Sequence, residues 1–119
     1  CIEIIEQSKV DWEKVLFHCF SEGVNEIVEL NNLGGRASFT GILTYKKNDF
    51  LREAAKAQGM GKLILETDSP YLSPEPMRGK ENEPSNLALI GEYTSGIFDV
   101  KKEDLALQSF LNTNRFYGV

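Results

Sequence analysis

Three short apolar segments alternate with helix-like segments along this chain, and that alternation constrains its fold more than any other feature. The strand-like segments are "KVLFHCF" (14–20), "RASFTGILTY" (36–45) and "KLILETD" (62–68). A segment with apolar residues every three or four positions follows each of them, as in an amphipathic helix. Strands that alternate with helices run parallel and are joined by helical crossovers. The sequence therefore predicts an α/β fold with parallel strands.

Local signals give the expected bounds of the helices. We expect Ser21 to cap the first helix, Asn48 to cap the second, and Pro84 to lie in the first turn of the third. The glycine pair at 34–35 ends the first helix, and the last twenty residues predict one or two short helices. The expected inner faces are Val24, Ile27 and Val28; Phe50, Leu51, Ala54 and Ala55; and Leu87, Ile90, Thr94 and Ile97.

Three strands make only a fragment of a sheet, with both edges open. One possibility is a small open α/β layer. The other is part of a closed barrel whose remaining strands lie elsewhere. The length of 119 residues suits one domain, and the open edges indicate a cut sequence, so we predict that residues 1–119 form a single partial domain.

Composition narrows the possible partners. A net charge of −5 argues against holding nucleic acid by bulk electrostatics, but not against an enzyme that reaches a phosphate through a metal. The chain lacks the run of about 18 apolar residues that a membrane span requires, so we expect no membrane partner. Two cysteines, Cys1 and Cys19, are too few for a disulfide framework, which favours a cytoplasmic location.

Two side chains are candidates for a metal site. Asp68 follows the third strand, and His18, the single histidine, lies near the end of the first. Active sites of parallel α/β folds form at the carboxyl ends of the strands, and alternate strands of a closed barrel contribute to one layer. An imidazole and a carboxylate facing one another there would suit a divalent metal. Alternatively, His18 is a core residue and Asp68 opens a turn in "DSP".

Glu66 and Arg78 are the other candidates in this region. A carboxylate in the body of a buried strand needs a partner, and we expect an arginine to supply it. Arg78, in the loop "MRGKENEP", could pair with Glu66 or hold a substrate phosphate with two hydrogen bonds. It could equally be a solvated loop charge.

Several of these segments resemble the sequence motifs of one protein family. "LILETDSPYLSPEPMRGKENEP" (63–84) closely resembles the signature near the end of the TatD family of metal-dependent hydrolases. "FHCFS" (17–21) resembles that family's histidine strand, "SFTGILTYKK" (38–47) its next strand, and "NTNRFYG" (112–118) its closing motif. The resemblance implies an amidohydrolase-like TIM barrel, of which this chain would supply the C-terminal part, about three βα units.

The resemblance also implies an activity, namely a deoxyribonuclease that cleaves the phosphodiester bonds of DNA with magnesium, manganese or zinc. His18 and Asp68 would be metal ligands. Asp68 would also be catalytic, accepting a proton from the metal-activated water. Glu66, Arg78 and Asn82 match signature positions that would order the loop and Asp68 or contact substrate.

The chain departs from the family pattern in several places. Met77 stands where the family often has histidine. The family's "H-x-H" on the first strand, its metal-bridging Glu and a histidine on the fifth strand have no counterpart here. We therefore expect the missing N-terminal barrel half, or another chain, as a partner.

Two alternatives stay open: an inactive truncated relative acting as a structural or interaction protein, and another hydrolase on the same barrel, such as a deacylase.

Overall fold

Three short parallel strands form the sheet of this protein. The computed structural model describes all residues from 1 to 119. The strands are β1 (Leu16–Phe17), β2 (Arg36–Phe39) and β3 (Ile64–Leu65), in the spatial order β1-β2-β3. In the register, Leu16 is aligned with Arg36 and Ser38 with Ile64. The two outer strands thus place their carboxyl ends on either side of β2.

Five α-helices surround the sheet. They are α1 (Ile2–Gln7), α2 (Val24–Leu33), α3 (Asp49–Gln58), α4 (Leu87–Phe98) and α5 (Lys102–Tyr117). Helices α2 and α3 are the crossovers between successive strands, and α5 is one continuous helix of 16 residues where short helices were expected. Not one of the helices has the length and the apolar character needed to cross a bilayer.

Each strand is shorter than predicted, and 3₁₀ turns occupy one end of each apolar segment. These turns cover Trp12–Lys14, Gly41–Thr44 and Met60–Lys62, while a fourth, Pro84–Asn86, leads into α4. The Asp11 carboxylate and the Thr40 hydroxyl each accept a hydrogen bond from the amide two residues later, which starts the turn that follows. Such local bonds compete with the strand ladder, so only two to four residues of each segment pair as β-structure.

The helix caps differ from the predictions. Gly23, and not Ser21, is the N-cap of α2, and its amide donates to the Glu26 carboxylate over 3.1 Å. Asn48 does precede α3, but its side chain donates to the Ile42 carbonyl instead of capping the helix. The predicted end of α2 is confirmed, because Gly34 adopts a left-handed φ of 101°.

The core lies between the sheet and the inner faces of the helices. Its buried members are Phe20, Ile27, Leu30, Ala37, Phe39, Leu43, Leu51, Ala54, Ala55, Leu63 and Leu105. Four residues expected on inner faces are instead between 40% and 48% exposed: Val24, Val28, Phe50 and Leu87. They lie at the margins of helices that cover a sheet only three strands wide, so nothing covers those margins. Ile90 and Thr94 of α4 are buried as predicted.

Candidate metal centre

Three acidic or imidazole side chains meet where β1 and β3 end. His18 directly follows β1, while Glu66 and Asp68 follow β3. One possible ligand atom from each residue lies within 4.8 Å of those from the other two, and His18 Nδ1 is 3.9 Å from Glu66 Oε1. The structure therefore brings together the two predicted ligands, His18 and Asp68, and adds Glu66 to the cluster.

The backbone turns sharply at both strand ends. Cys19, next to His18, has a φ of 48°, and Asp68 has a φ of 55°. Aspartate tolerates this left-handed conformation better than most residues, whereas a cysteine rarely adopts it. At Cys19 the turn is accompanied by a hydrogen bond of 2.5 Å from its amide to Glu66 Oε1. The two turns thus lie at the carboxyl edge where the cluster forms.

Glu66 finds its partners in the sheet and not in an arginine. Its Oε1 accepts hydrogen bonds from the Cys19 amide, at 2.5 Å, and from the Ser38 hydroxyl, at 2.6 Å. The expected pairing with Arg78 is therefore wrong. A half-buried carboxylate needs donors, and here an amide and a hydroxyl supply them, so no buried counter-charge is required.

Arg78 lies in the loop after β3 and contacts other loop residues. Its guanidinium is 4.2 Å from the centre of the Tyr45 ring, within the range of a cation–π contact, and 3.9 Å from the Glu75 carboxylate. Its side chain is 58% exposed. It remains accessible to a phosphate, but it takes no part in the cluster.

Asn82 ties the loop to the end of β3. It is 4% exposed, and its amide donates to the carbonyls of Thr67 (2.7 Å) and Tyr71 (2.6 Å). Its carbonyl oxygen accepts from Asn86 at the start of α4. These bonds hold the chain on both sides of Asp68, as expected of a residue that orders the loop, while a role in activity stays a prediction.

The loop also packs closely on the turn after β2. A Cβ on Gly41 would lie 2.5 Å from the Leu72 carbonyl oxygen and 2.9 Å from the Pro74 nitrogen, so only glycine fits there. The Glu75 amide donates to the Thr44 hydroxyl over 2.8 Å. The backbone that carries Asp68 is therefore fixed to β2 as well as to β3.

Comparisons with known proteins give the family of this chain. Residues 1–118 match the family described as TatD related DNase. The chain belongs to this family. The uncharacterized metal-dependent hydrolase YcfH of Escherichia coli K12 is 36% identical over 118 residues, which cover 99% of this chain and 44% of that protein. The uncharacterized metal-dependent hydrolase TatD of Mycobacterium tuberculosis is 32% identical over 107 residues, or 90% of this chain and 40% of that one.

Solved structures give the same fold. YjjV, a TatD homolog from Escherichia coli K12, superimposes with a TM-score of 0.80 at 22% identity and covers 87% of this chain and 40% of its own. A TatD family hydrolase from Entamoeba histolytica gives a TM-score of 0.74 at 22% identity, over 85% and 41%. The predicted fold, parallel βα units forming part of a TIM barrel, is confirmed. The chain spans less than half the length of these TatD relatives.

The cluster fits a divalent metal ion. One imidazole nitrogen and two carboxylates are ligands that zinc, manganese and magnesium accept. The His18 side chain is 73% exposed, so the cluster is open to solvent. At most three ligands come from these residues, whereas zinc usually takes four and magnesium six. In a TatD family protein, this chain would therefore supply only part of the coordination shell.

Sequence reasoning missed Ser38 and the Cys19 amide. The register offered a signal for Ser38, because it is aligned with Ile64, and alternation puts Glu66 on the same face of the neighbouring strand. No sequence pattern indicates a left-handed cysteine.

Burial raises the pKa of the Cys19 thiol, and the Asp68 carboxylate adds to the shift. That thiol is therefore neutral at neutral pH, consistent with a packing residue.

Proposed function

We propose that this chain forms part of the active site of a metal-dependent hydrolase, most specifically a deoxyribonuclease that cleaves phosphodiester bonds with metal-activated water. The convergence of His18, Glu66 and Asp68 within 4.8 Å supports this proposal more than any other observation. It occurs at the carboxyl edge of a parallel sheet, where active sites of such folds form. Relatives that match almost the whole chain are named metal-dependent hydrolases.

Each residue of the cluster has a proposed role. His18 and Asp68 would hold a magnesium, manganese or zinc ion, which would offset phosphate charge and make a water molecule more acidic. The Asp68 carboxylate would accept a proton from the attacking water. Glu66 lies against both and keeps the cluster anionic, which favours a cation over an anion. The left-handed turn at Asp68 and the bonds of Asn82 keep the Asp68 carboxylate in place.

The proposed substrate is DNA. The protein carries a net charge of −5, so a phosphate cannot be attracted by the bulk charge of the chain and must be met locally. Arg78 and Lys80 are the exposed cations of the loop after β3, and we assign Arg78 a phosphate contact on the DNA backbone. Its planar guanidinium suits two hydrogen bonds to one phosphate.

The partner that completes the site is proposed to be the N-terminal part of the same kind of barrel. An apolar groove of about 710 Å³ runs between α4 and α5, beside β3. Its lining includes Leu65, Leu87, Ala106 and Phe110, and the outer edge of β3 carries no further strand. Parallel βα units added there would bury the apolar surface and pair the open edge.

The test is reconstitution of activity. The 119-residue chain is produced together with the remaining segment of a relative such as YcfH, and cleavage of DNA is measured with manganese. We expect cleavage that the Asp68→Asn variant loses by several orders of magnitude, while Asp99→Asn, in the turn after α4, leaves it unchanged. A complex that forms but does not cleave DNA would contradict the proposal and favour an inactive relative that serves as an interaction protein. Cleavage that Asp68→Asn retains would contradict the assigned role.

A further inference from the structure

Ser38 is a fully buried polar residue at the centre of the sheet. It lies on β2, between the two strands that supply the cluster, and has no solvent exposure. A buried hydroxyl costs free energy unless it is hydrogen-bonded, and that of Ser38 donates to Glu66 Oε1 over 2.6 Å. This hydrogen bond therefore gives the buried Ser38 hydroxyl its partner and also restrains the Glu66 carboxylate.

Two donors from different strands converge on one oxygen of Glu66. The Ser38 hydroxyl comes from β2, and the Cys19 amide comes from the turn after β1, both to Oε1. The backbone amide of Glu66 in turn donates to the Phe39 carbonyl over 2.9 Å. The two short bonds restrain the position of Oε1. The carboxylate is thus fixed at both its backbone and its side chain.

The fixed carboxylate faces one particular nitrogen of His18. Nδ1 lies 3.9 Å from Glu66 Oε1, which is beyond hydrogen-bond distance, so the carboxylate acts on the ring through its charge. A lone pair on Nδ1 would be repelled by the carboxylate, whereas an Nδ1–H would be attracted to it. Metal-binding histidines commonly direct their other ring N–H at a carboxylate, which fixes the tautomer.

We infer that Ser38 is a positioning residue that acts on His18 through Glu66. By holding the Glu66 carboxylate beside Nδ1, it favours the Nδ1–H tautomer and leaves the lone pair of Nε2 for a metal ion. In this arrangement Glu66 orients a metal ligand. The inference rests on the proposed function for its metal, but the tautomer is a property of the metal-free chain.

The test is nitrogen-15 NMR of the imidazole in the metal-free 119-residue chain labelled at histidine. Because the chain has a single histidine, the spectrum needs no assignment. At about pH 8, where an ordinary imidazole is neutral, we expect the Nδ1–H form to predominate in the wild type. In Ser38→Ala we expect the ratio to move toward the Nε2–H form that predominates in unconstrained imidazole. Ser95→Ala, which removes another buried hydroxyl, in α4, should match the wild type.

Two results would overturn the inference. The first is a wild-type spectrum dominated by Nε2–H, which requires no variant to fold. The second is a Ser38→Ala chain that keeps the wild-type ratio. Should Ser38→Ala fail to fold, Glu66→Ala provides a second variant with the same expected shift in the ratio. The tautomer ratio is measured without DNA and without metal. A failed nuclease assay would therefore not contradict the role of Ser38, and an unchanged tautomer ratio would not contradict the proposed nuclease activity.

Loss of a partner that orients a metal ligand typically weakens metal binding about 10–100-fold. In the reconstituted barrel, we expect zinc affinity to fall by about tenfold in Ser38→Ala, with Ser95→Ala unchanged. Equal affinity in the two variants would contradict the positioning role even if the tautomer ratio differs.

Discussion

At the scale of single residues, the candidate metal site lies where two residues have an unusual backbone conformation. Cys19 and Asp68 both adopt left-handed conformations two to three residues after strands. The Cys19 amide donates to Glu66 of the cluster, and the Asp68 carboxylate belongs to the cluster. Conformations of this kind cost free energy and persist where surrounding contacts enforce them. Here the contacts are those of Glu66 and Asn82, which make these two side chains the best targets for mutation.

Asn82→Ala should destabilise the chain. The substitution leaves the carbonyls of Thr67 and Tyr71 without their donor in a site that is almost fully buried. Each buried group left unsatisfied costs about 1–3 kcal/mol, so we expect a loss of about 3 kcal/mol in the free energy of unfolding. Urea denaturation measures it, with the exposed Asn25→Ala as the control, expected within about 0.5 kcal/mol of wild type. Equal midpoints for the two variants would rule out the structural role of Asn82.

The titration of Tyr45 should report its contact with Arg78. Burial raises the pKa of the Tyr45 hydroxyl, while the positive charge of Arg78 opposes this shift by favouring the phenolate. Arg78→Gln removes that charge, so the pKa of Tyr45 should rise further. Ultraviolet titration of tyrosine ionisation measures it, with Tyr45→Phe identifying the contribution of that residue. A pKa that falls or stays constant in Arg78→Gln would show that the two side chains do not interact in solution.

At the scale of elements, the loop after β3 and the turn after β2 behave as one unit. Gly41 marks the contact between them, because any larger side chain would meet the backbone at Leu72 and Pro74. The loop also bonds to Thr44 and Tyr45. A shift of the turn would therefore move the loop that follows Asp68.

Gly41→Ala should destabilise this unit by about 2 kcal/mol, the usual cost of forcing one carbon into a closely packed site. Gly96→Ala in α4 is the matched control, because a Cβ there meets nothing within 4 Å. It should be stabilising by about 0.5–1 kcal/mol, since alanine favours helix over glycine. Thermal unfolding of both variants measures the difference. A Gly41→Ala variant that is as stable as the wild type, or more stable, would show that the close contact at Gly41 does not exist.

The sequence predicted the order of elements better than their ends. Alternation and periodicity identified every strand and the helices α2 to α4, because these patterns follow directly from the geometry of sheets and helices. The predicted N-cap at Ser21 was wrong, because a local bond between Gly23 and Glu26 decided where α2 begins. His18 and Asp68 followed from strand ends, while the Ser38–Glu66 contact depends on register, which no single segment reveals.

At the scale of the whole molecule, the chain has the fold of part of a barrel. The groove between α4 and α5 and the free edge of β3 lie on the same side. Side chains such as Phe110 (60% exposed) and Leu107 (59% exposed) extend the apolar surface of α5. A surface of this kind favours association with another protein segment.

The complementary segment should bind at this groove. Replacing Phe110 with glutamate places a charge in the apolar surface, so we expect the reconstituted complex with the remaining segment of a relative to weaken by at least about tenfold. Val119→Glu, at the exposed chain end, is the control. Analytical ultracentrifugation measures the affinity. Undiminished binding by Phe110→Glu would place the interface elsewhere.

The central claim is that His18, Glu66 and Asp68 form part of a metal site. Titration calorimetry with zinc tests it most directly on the 119-residue chain reconstituted with the remaining segment of a relative, because the chain alone supplies only part of the coordination shell. We predict zinc binding that His18→Ala and Asp68→Asn each weaken by at least about tenfold, while Asp99→Asn binds as the wild type does. Absence of binding by a folded wild-type complex would contradict the claim, as would undiminished binding in His18→Ala and Asp68→Asn.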